Sequence, residues 1–445
     1  MLALLQRHPV LARTLHCVRH GLPQTRAFAR RLGPGLITGA ADDDPSGIAT
    51  YSQAGAQFRF GLAWTLLLTT PLMIGIQMLS ARIGWVTGEG LAANIARVCP
   101  RWLTLLIVAL LVIANTLNIA ADVGAMAEAA RLLAGGPAAA WIMLFGSVCV
   151  LGQVMFSYER SVSILKWLTL ALFSYVAVVL VVQVPLRQAV DESLHPWRML
   201  TAGGAPSGYA SMVVAVLGTT ISPYLFFWQA AQEVEDGRRR SENGRAMRGD
   251  RLPDTGQHLG RIRLDTCVGM LFSNLVALCI VVATAVTLNQ HGVHDIVSSA
   301  QAAEALRPLA GNLAFGIFAL GIIGTGLLAV PVLAGSAAYA VSEVFGWPAS
   351  LSHGFHEARG FYGIIIAATG LGTVTSLFEL DPMQALVWSA ILNGVIAVPI
   401  MAVMMGIGQS ARIMGTLTLS RRHRLLGWAA TALMAAAVVV MLVTG

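Results

Sequence analysis

The sequence predicts an all-α integral membrane protein of about eleven transmembrane helices. They are expected as two inverted five-helix halves, each opening on a helix broken at mid-membrane. Three observations carry that expectation. The 445 residues are 56% hydrophobic and only 11% charged, with a mean hydropathy of +0.70, whereas a soluble domain is nearer a quarter charged. The basic residues divide unevenly between the two sides of the apolar runs. Two of those runs, the first and the sixth, carry helix-breaking residues near their centres.

A helix needs roughly 20 apolar residues to cross a bilayer. Such runs are read at 33–57, 61–81, 104–130, 139–156, 162–184, 209–232, 264–288, 311–342, 361–378, 384–407 and 426–444. With the N-terminus inside, segments 1–32, 82–103, 157–161, 233–263, 343–360 and 408–425 face the cytoplasm. Together with Lys166 they hold 24 of the 29 Lys and Arg, leaving Arg59, Arg131, Arg187, Arg198 and Arg307 outside. This is the positive-inside pattern, and it accounts for a pI near 9.5 without invoking nucleic acid. An odd number of spans puts the C-terminus outside an inner, plasma-type membrane. The chain then divides into a cytoplasmic N-terminal segment (1–32), a first repeat (33–184), an outer loop (185–208), a second repeat (209–407) and a basic loop with helix 11 (408–445).

The remaining segments are less informative. Residues 1–32 carry six arginines and only short apolar stretches, so no cleavable signal is read. Cys17, Cys99, Cys149, Cys267 and Cys279 show no paired spacing, so neither a disulfide framework nor a zinc site is indicated. The stretch 233–263 reads as a solvated cytoplasmic loop that anchors orientation, with binding of anionic lipid headgroups as the minor alternative. His291 to Arg307 reads as a polar outer connection.

The first span contains Asp42-Asp43-Asp44-Pro45-Ser46-Gly47. Charge is expensive in hydrocarbon, so an acid here faces protein or water and marks a functional site. Proline and glycine beside it interrupt the helix and free backbone carbonyls as oxygen ligands. The sixth span repeats the device with Gly218-Thr219-Thr220-Ile221-Ser222-Pro223. Broken helices at corresponding places in two halves point to inverted repeats with a binding site between the breaks.

At these residues the chain resembles the NRAMP family of divalent-metal transporters. Gly33-Pro34-Gly35 opens the first helix as in that family. Asp44-Pro45-Ser46-Gly47 falls where the family carries Asp-Pro-Gly-Asn, and Ala49-Thr50 and Gln53-Ala54-Gly55-Ala56-Gln57 follow. Ser80-Ala81-Arg82-Ile83-Gly84 and Val86-Thr87-Gly88 match the pattern after the second helix, and Gly218 to Pro223 lies where the family has Met-Pro-His-Asn. The resemblance implies a LeuT-like fold and a metal site between helices 1 and 6.

The departures are specific. The family's Asn ligand is replaced by Gly47, its Met by Ser222, its His and Asn by Tyr224 and Leu225, and its second helix-6 His by Gln229. Its helix-3 Asp-x-x-Glu pattern becomes Ile119-Ala120-Ala121-Asp122. These changes resemble the NRAMP-related magnesium transporter branch, where the soft ligand is absent and proton coupling is thought lost. Physical chemistry agrees, because thioethers suit transition metals and oxygens suit Mg²⁺, Ca²⁺ and Mn²⁺. Mg²⁺ keeps several waters, so a roomier oxygen-lined site fits it.

Asp44 is the principal candidate ligand, with a structural cap on the outer half-helix as its alternative role. Asp43 is expected to line the inner vestibule, since three adjacent carboxylates cannot all face one ion. Gly47 is expected to widen the site. Thr219 and Ser222 offer hydroxyl or carbonyl oxygen, although such hydroxyls often bond back within their helix. Tyr224 either lines the cavity or packs as a satisfied aromatic, and Asn393 either orients a water or bonds between helices. Asp122 is a secondary acid or a helix-3 anchor. Glu128, near Arg131, is expected to have no special role.

The function read from these residues is import of partly hydrated Mg²⁺, with Mn²⁺ as a further substrate, by alternating access. No enzyme activity, cofactor, nucleic acid or protein partner is expected; the partners are the ion and the bilayer. All ten histidines fall in segments read as loops or the N-terminal tail, which argues against an imidazole proton relay. The membrane potential suffices, because a divalent ion gains about 4.6 kcal/mol per 100 mV. The alternatives are a proton-coupled Mn²⁺/Fe²⁺ symporter, disfavoured by the missing Met, and a non-transporting sensor or scaffold, disfavoured by the lack of an output domain.

Overall fold

The structure, a computed structural model, describes residues 34–155, 172–195, 208–242, 255–296, 298–351, 354–378 and 381–444. Those residues are helical with no strand. The first predicted span is two helices, α1 (Pro34–Asp42) and α2 (Pro45–Phe58). Next come α3 (Ala63–Thr87), α4 (Leu91–Val98), α5 (Arg101–Ala134) and α6 (Ala138–Met155), then α7 (Phe173–Val181) and α8 (Leu186–Leu194). The sixth span is again two helices, α9 (Tyr209–Thr220) and α10 (Pro223–Glu242). The remainder are α11 (Thr255–Thr287), α12 (Ser299–Glu304), α13 (Arg307–Ala310), α14 (Ala314–Phe345), α15 (Arg359–Ser376), α16 (Pro382–Gln409), α17 (Ala411–Met414) and α18 (Arg421–Thr444).

Both breaks have the same construction. A short helix stops, two residues leave helical geometry, and the chain restarts on a proline at the first helical position, Pro45 or Pro223. Proline has no N–H to lose there, and its ring forces the preceding residue out of the helical region.

Packing reflects the pseudo-symmetry. α1 and α2 lie along α11, while α10 lies along α3. Each broken helix therefore packs on the second helix of the other repeat, as an inverted 5+5 arrangement requires. Glycine permits the approach: a Cβ on Gly39 would stand 2.4 Å from the Gly269 carbonyl carbon, and one on Gly218 would stand 2.1 Å from the Ala390 carbonyl oxygen on α16. The span Tyr209–Arg238 is 83% buried over its most apolar window, against 22% for α6 and for Arg421–Val443. The breaks thus sit at the centre of the bundle, and α6 and α18 present apolar side chains to lipid.

Eight described helices are long and apolar enough to cross a membrane, or nine if α7 and α8 count as one bent span. The halved first span and the 18-residue α15 account for two more of the predicted eleven. Part of the predicted fifth span lies outside the described residues.

Two predicted loops are partly helical. The outer loop 185–208 contains α8, bent by 119° from α7. Its Leu186, Val190 and Leu194 recur every four residues along one exposed edge, a pattern hidden from a hydropathy reading by Asp191 and Glu192. In 233–263, α10 runs on to Glu242 and α11 begins at Thr255. Glu233 and Glu235 are buried there, not solvated. Arg261 explains how a charge is kept inside: it reaches Glu233 at 3.2 Å and Asp236 at 2.7 Å. His258 also leaves the loop assigned to it, standing on α11 at 3.8 Å from Glu233 and stacked on Trp85.

Candidate metal site

Asp44 occupies the break between α1 and α2 in an extended conformation, φ −72° and ψ 171°. Its Oδ1 accepts the Gly47 amide and the Ser46 hydroxyl, both at 2.7 Å, and so caps α2. Its Oδ2 turns to the bundle interior, where the Tyr224 hydroxyl donates at 3.2 Å and the Asn118 amide at 3.4 Å. The carboxylate is 2% exposed. One oxygen thus holds the helix end, and the other is presented between α5 and α10.

Tyr224 lies one residue into α10 and reaches across to the first break. Its hydroxyl is also 3.2 Å from the Ala41 carbonyl, so it can donate to either oxygen but not to both at once. Gly47 is tightly bounded: a Cβ there would meet the Asp42 carbonyl and the Tyr51 ring at 3.3 Å and Asp44 Oδ1 at 3.5 Å. A larger residue would fill the space beside the carboxylate.

The second break is less open than expected. The Ser222 hydroxyl bonds back to the carbonyls of Gly218 at 2.9 Å and Thr219 at 2.8 Å, occupying carbonyls that the break was expected to free. Thr219 is buried beside the Tyr51 phenol. Ser222 and Thr219 therefore form the polar wall of the second break, the Ser222 hydroxyl turned into the helix and the Thr219 hydroxyl toward Tyr51.

Two candidates stand elsewhere. Asp43 turns to α11, where the Ser273 hydroxyl lies 3.0 Å from its Oδ1 and 2.6 Å from Asp42 Oδ2. Asn393 is buried on α16 but makes no hydrogen bond to Asp44. The α16 side chain that connects to the site is Ser389, one turn earlier, which donates to Asn118 Oδ1 at 2.7 Å. Asn118 and Ser389 escaped the sequence reading. Each lies four residues before a residue that was singled out, Asp122 or Asn393, and so shares its helix face.

Asp122 is fully buried, beside the Ser46 backbone amide, with neither carboxylate oxygen in a well-formed hydrogen bond. Among the described residues, no three His, Cys, Asp or Glu converge as a ready-made metal cage.

Access differs at the two ends of the bundle. At the arginine-poor end a cavity of about 920 Å³ is lined by Glu128, Arg131, Asp381, Gln384, Trp388 and Ser389, so its wall lies one hydrogen bond from Asn118. Glu128 has a role after all, accepting the Ser299 amide at 2.9 Å and tying α12 to α5. At the arginine-rich end a pocket of about 220 Å³ lies among Glu89, Glu235, Arg238, Tyr339 and Glu343. Glu235 tightens that end by accepting from the Tyr339 hydroxyl and from the Leu351 amide, the latter at 2.9 Å.

Comparison with known proteins bears on the family and the fold. The Nramp family model, described as natural resistance-associated macrophage protein-like, matches residues 35–444. A divalent metal cation transporter MntH from Klebsiella pneumoniae subsp. pneumoniae is 26% identical over 411 residues, covering 90% of this chain and 91% of that protein. A protein of the same name from Yersinia pestis is 27% identical over 300 residues, covering 66% and 68%. A crystal structure of the Eremococcus coleocola manganese transporter with an aromatic bis-isothiourea compound superposes with a TM-score of 0.71, covering 92% of this chain and 85% of that one. At 16% identity that likeness establishes the fold.

Proposed function

The chain belongs to the Nramp family, and from that premise we propose that it imports divalent metal cations across the inner membrane, with Mg²⁺ preferred and no proton coupling. Ions pass by alternating access, with the N-terminus in the cytoplasm and the C-terminus outside. The relatives named for divalent metal and manganese transport support the substrate class.

One observation carries the choice of ion. Asp44 Oδ2 is met by a phenol and an amide, and the position where the family has a thioether holds Ser222. Oxygen donors suit a hard ion, and an ion that keeps part of its water needs few of them. The larger cavity at the Arg131 end supports loading from that side, which the arginine distribution assigns to the outside.

A second reading is proton-coupled Mn²⁺ uptake. Asp122 favours it as a buried acid beside the Ser46 amide, one helical turn from Asn118.

The test of transport is purified protein in liposomes with an ion indicator in the lumen. Mg²⁺ and Mn²⁺ should both enter, and Asp44→Ala should abolish the influx. Absence of flux for both ions contradicts the assignment.

A further inference from the structure

We propose that α8 is an interfacial helix, lying along the bilayer surface at the arginine-poor end with Leu186, Val190 and Leu194 set among the lipid acyl chains. The proposal needs only a membrane-spanning chain and is independent of which ion the Asp44 site takes.

The faces of α8 are sharply sorted. Leu186 is 71% exposed, Val190 54% and Leu194 58%. At about 100° per residue these three share an arc of about 80° on the helix surface. Ala189 and Ser193 border that arc on one side, and both meet the protein. Ala189 packs against the cluster of Phe60, Ala285 and Val286, and the Ser193 hydroxyl lies 3.5 Å from the Phe60 carbonyl. Arg187 and Asp191 border it on the other side, and Gln188 and Glu192 lie opposite. The polar groups are satisfied locally: Gln188 donates to Glu192 at 2.7 Å, and Asp191 meets His195 at 3.0 Å. A helix with protein on one flank, an apolar stripe below and polar residues above is the pattern of a monotopic surface helix.

Three observations make lipid the partner of the stripe. The first is continuity. α7 ends on Leu180 and Val181, 81% and 56% exposed, and Leu186 follows after four residues. The apolar exposure of the span therefore runs on into α8. The second is direction. α8 is bent from α7 by 119°, about 30° past a right angle. A span near the membrane normal thus delivers α8 near the membrane plane, tipped back toward the hydrocarbon. The third is charge. Arg187 stands beside the stripe and enters no ion pair among the described residues. Its stem can lie along the acyl chains while its guanidinium reaches a lipid phosphate. A second copy of the chain is the weaker partner, since three side chains offer far less than the about 800 Å² per partner of a stable protein interface.

The position of α8 gives the anchor a purpose. Phe60, which Ser193 approaches, lies two residues beyond the end of α2, and Asp44 caps the other end of that helix. A bilayer grip on α8 therefore bears on the outer end of the helix that carries the site.

The experiment places the photoreactive residue p-benzoylphenylalanine at Leu186, Val190, Leu194, Gln188 or Asp191, one position at a time. Each full-length variant is irradiated in vesicles of phosphatidylethanolamine and phosphatidylglycerol, and mass spectrometry measures adducts with lipid and with protein. Lipid adducts should be about tenfold more abundant at the three stripe positions than at Gln188 and Asp191, as a face in hydrocarbon requires against a face in water. Size exclusion and thermal unfolding check folding, and any one stripe variant that folds decides the matter. Equal lipid adducts on both faces overturn the proposal, and so does the absence of lipid adducts from the stripe. Adducts between two copies of the chain at Leu186, Val190 or Leu194 also overturn it, by showing that protein covers the stripe.

Discussion

The Tyr224 hydroxyl stands 3.2 Å from the Asp44 carboxylate, so the helix that begins at the second break donates a hydrogen bond to the residue that makes the first. An ion that binds Oδ2 must displace this donor or share the oxygen with it. Tyr224→Phe should therefore lower the thermal stability of the ion-free protein by about 1–3 kcal/mol, as expected for a buried hydrogen bond to a carboxylate. Mg²⁺ should then restore more stability to the variant than to the wild type. Thermal unfolding with and without Mg²⁺ checks this, and an unchanged ion-free midpoint contradicts it.

Asp44 combines a cap with a charge, and two substitutions separate them. Asparagine caps a helix about as well as aspartate, whereas alanine costs about 1 kcal/mol. Asp44→Asn should keep near wild-type stability yet lose metal uptake, while Asp44→Ala should lose both. Uptake retained by Asp44→Asn would mean that the cap is the whole role of this residue.

Ser222 keeps its hydroxyl proton within its own helix, so replacing it sacrifices little at the carboxylate. Ser222→Met should bring a soft donor to the second break and strengthen Mn²⁺ and Cd²⁺ binding relative to Mg²⁺ by about tenfold, or about 1.4 kcal/mol. Competition between these ions for binding to the purified variant measures the shift. An unaltered order of affinities contradicts the placement of Ser222 at the ion.

Glu233 is buried and held by Arg261 at 3.2 Å. Removing one partner of such a pair strands the other, at a cost of about 3–5 kcal/mol when both are desolvated. Arg261 is partly exposed, so Arg261→Ala should fall at or below the lower end of that range. The double variant Arg261→Ala/Glu233→Gln should recover part of the loss, as coupled residues do. Strict additivity of the two thermal shifts would show that the pair is not coupled.

Both breaks were legible because Pro45 and Pro223 act locally: a proline dictates where its own helix starts, whatever surrounds it. Span positions followed from apolar length for the same reason. Asn118 and Ser389 were not legible, because their meeting depends on where α5 crosses α16, residues far apart in the chain. Asp122 and Asn393 share a helix face with Asn118 and Ser389, but helical periodicity leaves the turn undetermined. The burial of Glu233 is not legible in the sequence because its partner lies 28 positions away on another helix. The direction of Asp43 toward Ser273 depended in the same way on the packing of α1 against α11, which Gly39 and Gly269 bring close.

The central claim is that a hard divalent ion moves through the Asp44 site under the membrane potential alone. The most direct measurement uses proteoliposomes with an inside-negative potassium diffusion potential, following lumenal Mg²⁺ and lumenal pH together. The account predicts Mg²⁺ influx that grows with the potential while lumenal pH stays level. Mg²⁺ influx accompanied by stoichiometric acidification, or Mn²⁺ influx with no Mg²⁺ influx at all, would contradict it.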